Sequence, residues 1–158
     1  YIGVEADGGF ATMGGVAGTN SYSGSEITGG FFCEIFPNKY KTTGWGLGLG
    51  YTKYMFDKQF DLSMFNIDFV FISNPGKGKA VSSKCGIRVG VPLSAEKAKV
   101  DVKDKSSTTV GLLGDLSWST KHFLLGGRVH FSIGDAMDWG SNISSGIFSV
   151  ALYAAYRF

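Results

Sequence analysis

Apolar residues recur at every second position through most of this chain. The cleanest run closes it: Phe148, Val150, Leu152, Ala154, Tyr156 and Phe158 alternate with Ser149, Ala151, Tyr153, Ala155 and Arg157. Successive side chains of a strand point to opposite faces, so Ile147–Phe158 has one greasy face and one mixed face. Gly44–Tyr54 repeats the pattern, with Trp45, Leu47, Leu49 and Tyr51 set against glycines at 44, 46, 48 and 50. Ile2–Phe10 sets Ile2, Val4, Ala6 and Phe10 against Glu5 and Asp7; Glu26–Phe36 sets Ile27, Phe31, Cys33 and Ile35 against Thr28, Phe32 and Glu34. In Asp61–Ile72, Phe65, Ile67, Phe69 and Phe71 oppose Asn66 and Asp68, and in Val81–Leu93, Cys85, Ile87, Val89 and Val91 oppose Lys84 and Arg88. Thr108–Trp118 carries Val110, Leu112, Leu116 and Trp118 against Gly111 and Asp115. The next run carries Phe123, Leu125, Val129, Phe131 and Ile133 against Arg128, His130 and Ser132. The pattern predicts eight strands of roughly ten residues, the length a tilted strand needs to cross a bilayer.

The connections alternate in length. Pro37–Thr43, Ser73–Lys79 with its Asn-Pro-Gly reversal, and Ser119–His122 are short; Ala11–Ser25, Ser94–Ser107 and Gly134–Gly146 are long. A short loop around Asp57 joins the third and fourth strands. It predicts Tyr51 opposite Ser63, which sets Leu49, Leu47 and Trp45 against Phe65, Ile67 and Phe69. Short inner turns and longer outer loops are expected of an antiparallel up-and-down transmembrane β-barrel with both termini in the periplasm.

Period two alone does not decide which face is wet, because a soluble lipocalin-like barrel alternates in the same way with its apolar face inward. Composition and charge placement favour the membrane. The 158 residues fit one domain; 15% are aromatic, 24 are glycine and 18% are charged, against roughly 25% in an ordinary soluble protein. The predicted polar face carries few charges among many small residues. A narrow eight-stranded interior needs glycines beside bulky neighbours, such as the 44–50 stripe beside Phe32 and Phe36. Trp45, Tyr51, Trp118, Tyr156 and Phe158 fall near predicted strand ends, as interfacial girdles do. No apolar run is long enough for a membrane helix, so a membrane reading means a closed barrel. The chain shows no signal peptide, and its first residue is expected near a mature N-terminus. The net charge of +2 gives no reason to expect nucleic acid.

The terminal segment, through Val150, Leu152, Ala154, Tyr156 and Phe158, resembles the targeting strand of bacterial outer-membrane barrels. The whole chain resembles the small eight-stranded group typified by the OmpA transmembrane domain and OmpX. The resemblance implies an integral outer-membrane protein inserted by the barrel-assembly machinery. Its expected neighbours are outer-membrane lipids, lipopolysaccharide and possible envelope partners, with no cofactor or metal. The function it implies is non-enzymatic, through surface loops in adhesion or ligand contact, or as a structural subunit of an envelope complex. A narrow channel for small hydrophobic solutes is the alternative without chemistry.

Candidate chemistry sits on the polar faces. Glu5, Asp7, Glu34, Asp68 and Asp115 nearly balance Lys84, Arg88, Arg128 and Arg157, with His130 as a further donor. Buried charges must pair, so a salt-bridged plug and no open pore are expected. His130-Phe-Ser132 resembles the His-x-Ser core of the outer-membrane lipid A deacylases, which implies a base and a nucleophile at those positions. Ile133 stands where that family has Asn, and the nearest acids are Asp135 and Asp138. Phe131 and Ile133 on the apolar face would also turn His130 and Ser132 inward, away from lipid. The glycine run at 44–50 lacks phosphate-loop spacing and a following helix. Cys33 and Cys85 fall on non-neighbouring strands and are expected to be unbridged, buried, inert thiols. The short turns hold Lys39, Lys41, Lys77, Lys79 and Lys121 without an acid, which suggests a basic periplasmic rim facing anionic headgroups or an acidic partner. Lys53 and Asp61 are placed at the opposite rim.

Overall fold

The computed structural model describes residues 1–14, 21–37, 42–57, 59–74, 81–138 and 145–158. Its strands are β1 (Ile2–Met13), β2 (Tyr22–Ile35), β3 (Thr43–Phe56), β4 (Phe60–Ser73), β5 (Val81–Lys97), β6 (Val100–Asp101), β7 (Thr109–Ser119), β8 (Phe123–Ser132) and β9 (Ile147–Arg157). Each long strand pairs antiparallel with its neighbour in the chain, β9 pairs with β1, and β4 pairs with β5. The eight long strands therefore close on themselves. A closed barrel satisfies every ladder and leaves no long edge to solvent or lipid.

The faces settle the question that period two left open. Leu152 is 78% exposed, Phe31 67% and Leu116 64%, whereas Arg88 is 2% exposed and Arg128 3%. The greasy face points outward and the charges point inward. This is the arrangement of a lipid-facing barrel and the reverse of a soluble one. Inward glycines make room for large rings: a Cβ on Gly3 would sit 2.4 Å from the Phe32 ring, and one on Gly44 would sit 2.8 Å from the Phe36 ring.

Several strands overrun their predicted ends. Ala11–Ser25 is not all loop, because β1 continues to Met13 and β2 starts at Tyr22, paired opposite it. Both of these side chains face inward and are buried, which rewards the extra turns of ladder. The charged stretch after Leu93 is also partly strand. β5 runs on to Lys97, reverses at Ala98 and Lys99 (φ 51° and 67°) and pairs back with β6, and Lys103–Lys105 forms one 3-10 turn. Leu93 is the extra residue of a bulge, since Ser63 pairs with Ser94 and Met64 with Pro92. Proline has no N–H to give a ladder, and a bulge beside it tolerates that loss.

The β3–β4 register differs from the expected one by two residues. Tyr51 lies opposite Phe65, Leu49 opposite Ile67, Leu47 opposite Phe69 and Trp45 opposite Phe71. Phe56 pairs with Phe60, and Gln59 takes a φ of 55° just before β4. A slip of two keeps every residue on its face, so alternation cannot detect it. Tyr51 still reaches Ser63 diagonally, its hydroxyl donating to the serine Oγ at 2.9 Å. The cysteines correct another expectation. They are unbridged, but Cys85 is exposed and Cys33 half-buried on the outer face, so they meet lipid rather than the protein interior.

Candidate functional site

The lumen is the built part of this molecule, and Arg128 is its hub. Asp115 is the direct cross-strand partner of Arg128 and receives its Nε at 2.9 Å and its Nη2 at 3.1 Å. Two strands away on β1, Asp7 accepts from Nη1 at 2.7 Å, and Glu5 accepts from Nη1 and Nη2 at 3.3 and 3.1 Å. The guanidinium reaches β1 because the intervening strand presents only Ala151 opposite Arg128. Its five fixed donors suit a site where carboxylates converge from different strands. The Tyr153 ring lies 4.3 Å from the guanidinium carbon and covers the remaining face.

A second pair is simpler. Asp68 and Arg88 are directly opposed on β4 and β5 and form a two-pronged bridge, with both contacts at 2.8 Å. Toward the chain termini, Glu34 binds Lys84 at 3.0 Å and Arg157 at 2.8 Å. Lys84 also donates to the Tyr153 hydroxyl at 3.0 Å, and Arg157 Nη1 donates to Ser119 Oγ at 3.0 Å. The five acids and four bases singled out on the polar faces therefore meet in one belt.

Apolar side chains fill the space around these charges. Phe32, Leu124, Tyr153 and Ala155 pack together among them, as do Val70, Ile72 and Leu113 with Phe36 against them. Toward the opposite mouth, Met13, Tyr22, Tyr54, Phe56, Phe60, Leu62 and Met64 form a cap, completed by Ala136 and Met137 from the β8–β9 connection. Tyr54, Phe56 and Phe60 stack with ring centroids 5.8 and 5.7 Å apart. The cavity inside the belt is about 20 Å³. That volume holds on the order of one water.

The alternation predicted the belt but not the cap. It also passed over Glu26, which is 2% exposed and hydrogen-bonded to Ser149. Glu26 is in phase with Thr28, Phe32 and Glu34, so the period held the signal. Between belt and cap, Thr28 and Thr52 share a hydrogen bond of 2.8 Å, and Asn66 donates to Thr52 at 2.6 Å.

His130 and Ser132 do not assemble a nucleophile and its base. Both face inward and are 2% exposed. The Ser132 hydroxyl accepts the Ile147 N–H at 2.6 Å and donates to the Gly134 carbonyl at 3.2 Å, while neither ring nitrogen of His130 has a partner. A base must reach its nucleophile, and a substrate must reach both. Asp135 accepts from the Ser145 N–H, and the Asp138 N–H donates to the Lys105 carbonyl. Among the described residues there is no cluster suited to a metal.

The remaining candidates lie on the outside. Val150, Leu152, Ala154 and Tyr156 point outward on β9, the strand that closes the barrel between β8 and β1, and Phe158 follows it, exposed. Trp45 and Trp118 are 63% and 60% exposed, as a girdle requires. Lys121 is exposed in the β7–β8 turn, whereas Lys39, Lys41, Lys77 and Lys79 lie outside the described residues. Lys53 and Asp61 form a half-exposed ion pair at 3.4 Å.

A closed barrel of eight long strands with charges in and hydrocarbon out decides the architecture. This is the fold of the small outer-membrane β-barrels. Neisserial surface protein A superposes with a TM-score of 0.64 at 18% identity, covering 99% of this chain and 97% of that one. Ail, the attachment invasion locus protein of Yersinia pestis, superposes at 0.54 with 13% identity, covering 99% and 98%. A second Ail structure, in complex with the heparin analogue sucrose octasulfate, superposes at 0.52 with 15% identity, covering 99% and 99%. No protein-family model matches the sequence, and no curated protein matches it significantly.

Proposed function

We propose that this barrel is a non-enzymatic outer-membrane protein that works through its outer loops. In this reading the termini face the periplasm, and the connections after β1, β3, β5 and β8 face outward. The observation that carries it is the filled lumen: among the described residues, ion pairs and apolar side chains fill the barrel's cross-section around a cavity of about 20 Å³, with no exposed reactive pair. Activity is then left to the surfaces. Ail's complex with a heparin analogue supports an anionic saccharide as the class of contact. On this chain Lys99, Lys103 and Lys105, exposed between β5 and β7, are the side chains to meet it. The outer face rests against lipid and lipopolysaccharide, and β9 is the strand the barrel-assembly machinery engages.

Native mass spectrometry after mild detergent extraction tests this. A lone mass near 16.9 kDa supports a barrel acting by itself through its loops. Stoichiometric co-eluting protein would instead make it a subunit of an envelope complex. Fatty-acid release from lipopolysaccharide that is lost on His130→Ala would overturn the non-enzymatic reading.

A further inference from the structure

Glu26 Oε2, the Tyr54 hydroxyl and both ring nitrogens of His130 have no hydrogen-bond partner among the described residues. The three side chains are 2%, 0% and 2% exposed. Buried polar atoms in folded proteins are nearly always bonded to protein or to ordered water. These side chains also converge. Glu26 and Tyr54 are directly opposed on β2 and β3. Glu26 crosses β1 beside Gly9, which has no side chain to block it, and hydrogen-bonds Ser149 on β9. Ser149 is in turn the cross-strand partner of His130 on β8. The His130 ring lies over Gly111 on β7, where a Cβ would come within 2.7 Å of Nε2. Gly111 is opposite Arg88, and Arg88 is a charged neighbour of all three side chains.

We propose that Glu26, Tyr54 and His130 bind a small cluster of water enclosed between belt and cap. Their chemistry selects that occupant. A carboxylate oxygen takes a donor, a neutral imidazole takes one donor and one acceptor, and a phenol hydroxyl can use both. A cation would serve Glu26 but lie against Arg88 and Arg128, and an anion would meet Glu26 and Asp7. Water donates and accepts without charge, and makes about three hydrogen bonds when buried. Room for it comes from the inner wall, where Gly9, Ala151 and Gly111 carry little or no side chain. Thr28, Thr52 and Asn66 nearby need none of it, since they bond one another. Tyr54 marks the outer boundary of the cluster. Its ring belongs to the cap, and its neighbours below are Glu26, Asp7, Asp68 and Arg88.

Radiolytic labelling of the refolded barrel in detergent micelles provides the test, because water bound inside yields hydroxyl radicals that mark the side chains touching it. Tyr54 and Tyr153 are both 0% exposed, but the Tyr153 hydroxyl is already engaged by Lys84. Tyr54 is expected to take up label about tenfold faster than Tyr153, since only Tyr54 touches the cluster. Phe60, buried in the cap, is expected to stay at the Tyr153 level. Tyr54→Phe keeps the ring stack and removes only the hydroxyl. It is expected to lower the folding constant about fivefold in urea unfolding, the net effect of losing one satisfied hydrogen bond. Removing an unsatisfied hydroxyl would raise that constant instead. Tyr54 protected as fully as Tyr153, Phe60 labelled as strongly as Tyr54, or Tyr54→Phe no less stable than the parent would each overturn the proposal.

Discussion

The middle of the lumen and its outer end are filled by side chains of opposite character. In the belt, Arg128, Arg88, Lys84 and Arg157 are held by carboxylates that arrive from four other strands. In the cap, stacked rings and methionines fill the same cross-section, and none of the cap's described residues is charged. The two tolerate damage differently. A charge pair in low dielectric is costly to break and nearly free to replace whole. An apolar layer loses in proportion to the volume removed.

Arg128→Met should break that comparison most severely, because it leaves Glu5, Asp7 and Asp115 buried without their shared cation. A loss of about 5 kcal/mol is expected, read from urea unfolding of the refolded barrel. Arg88→Met, which orphans Asp68 alone, should cost about 3–5 kcal/mol by the same measurement. Phe60→Ala in the cap should cost about 3 kcal/mol, scaling with the cavity left. The double replacement Asp68→Leu with Arg88→Met should come within about 1 kcal/mol of the parent. A loss in that double variant equal to the sum of the two single losses would mean that Asp68 and Arg88 stabilise the barrel through separate contacts and not through each other. The smallest effect is expected on the outer face. A Cβ on Gly114 meets nothing within 4 Å, so Gly114→Ala should change stability by less than about 0.5 kcal/mol.

The belt was legible in the sequence and the cap was not, for a physical reason. Charges at alternate positions among apolar neighbours have one tolerable location, inside, and they must pair there, so Asp68 and Arg88 announce themselves. The cap is built from apolar residues that fall on the polar phase: Met13, Tyr22, Tyr54, Phe60, Leu62 and Met64. At a strand end such residues read as breaks in the alternation. That reading ended β1 three residues early and started β2 four residues late. The bulge at Leu93 has the same effect, since it shifts Ala95 inward just where the charged residues begin. Strand pairing at a two-residue offset is also invisible to alternation, as the β3–β4 register showed. His130 and Ser132 resembled a catalytic fragment until their inward direction was combined with the backbone groups that Ser132 serves.

The closed lumen is the claim on which the rest depends, and conductance tests it most directly. Refolded protein in a planar lipid bilayer in concentrated KCl should give no discrete current steps at either polarity. Reproducible single-channel steps from the pure barrel would contradict it, and would make the ion-paired belt a gate rather than a plug.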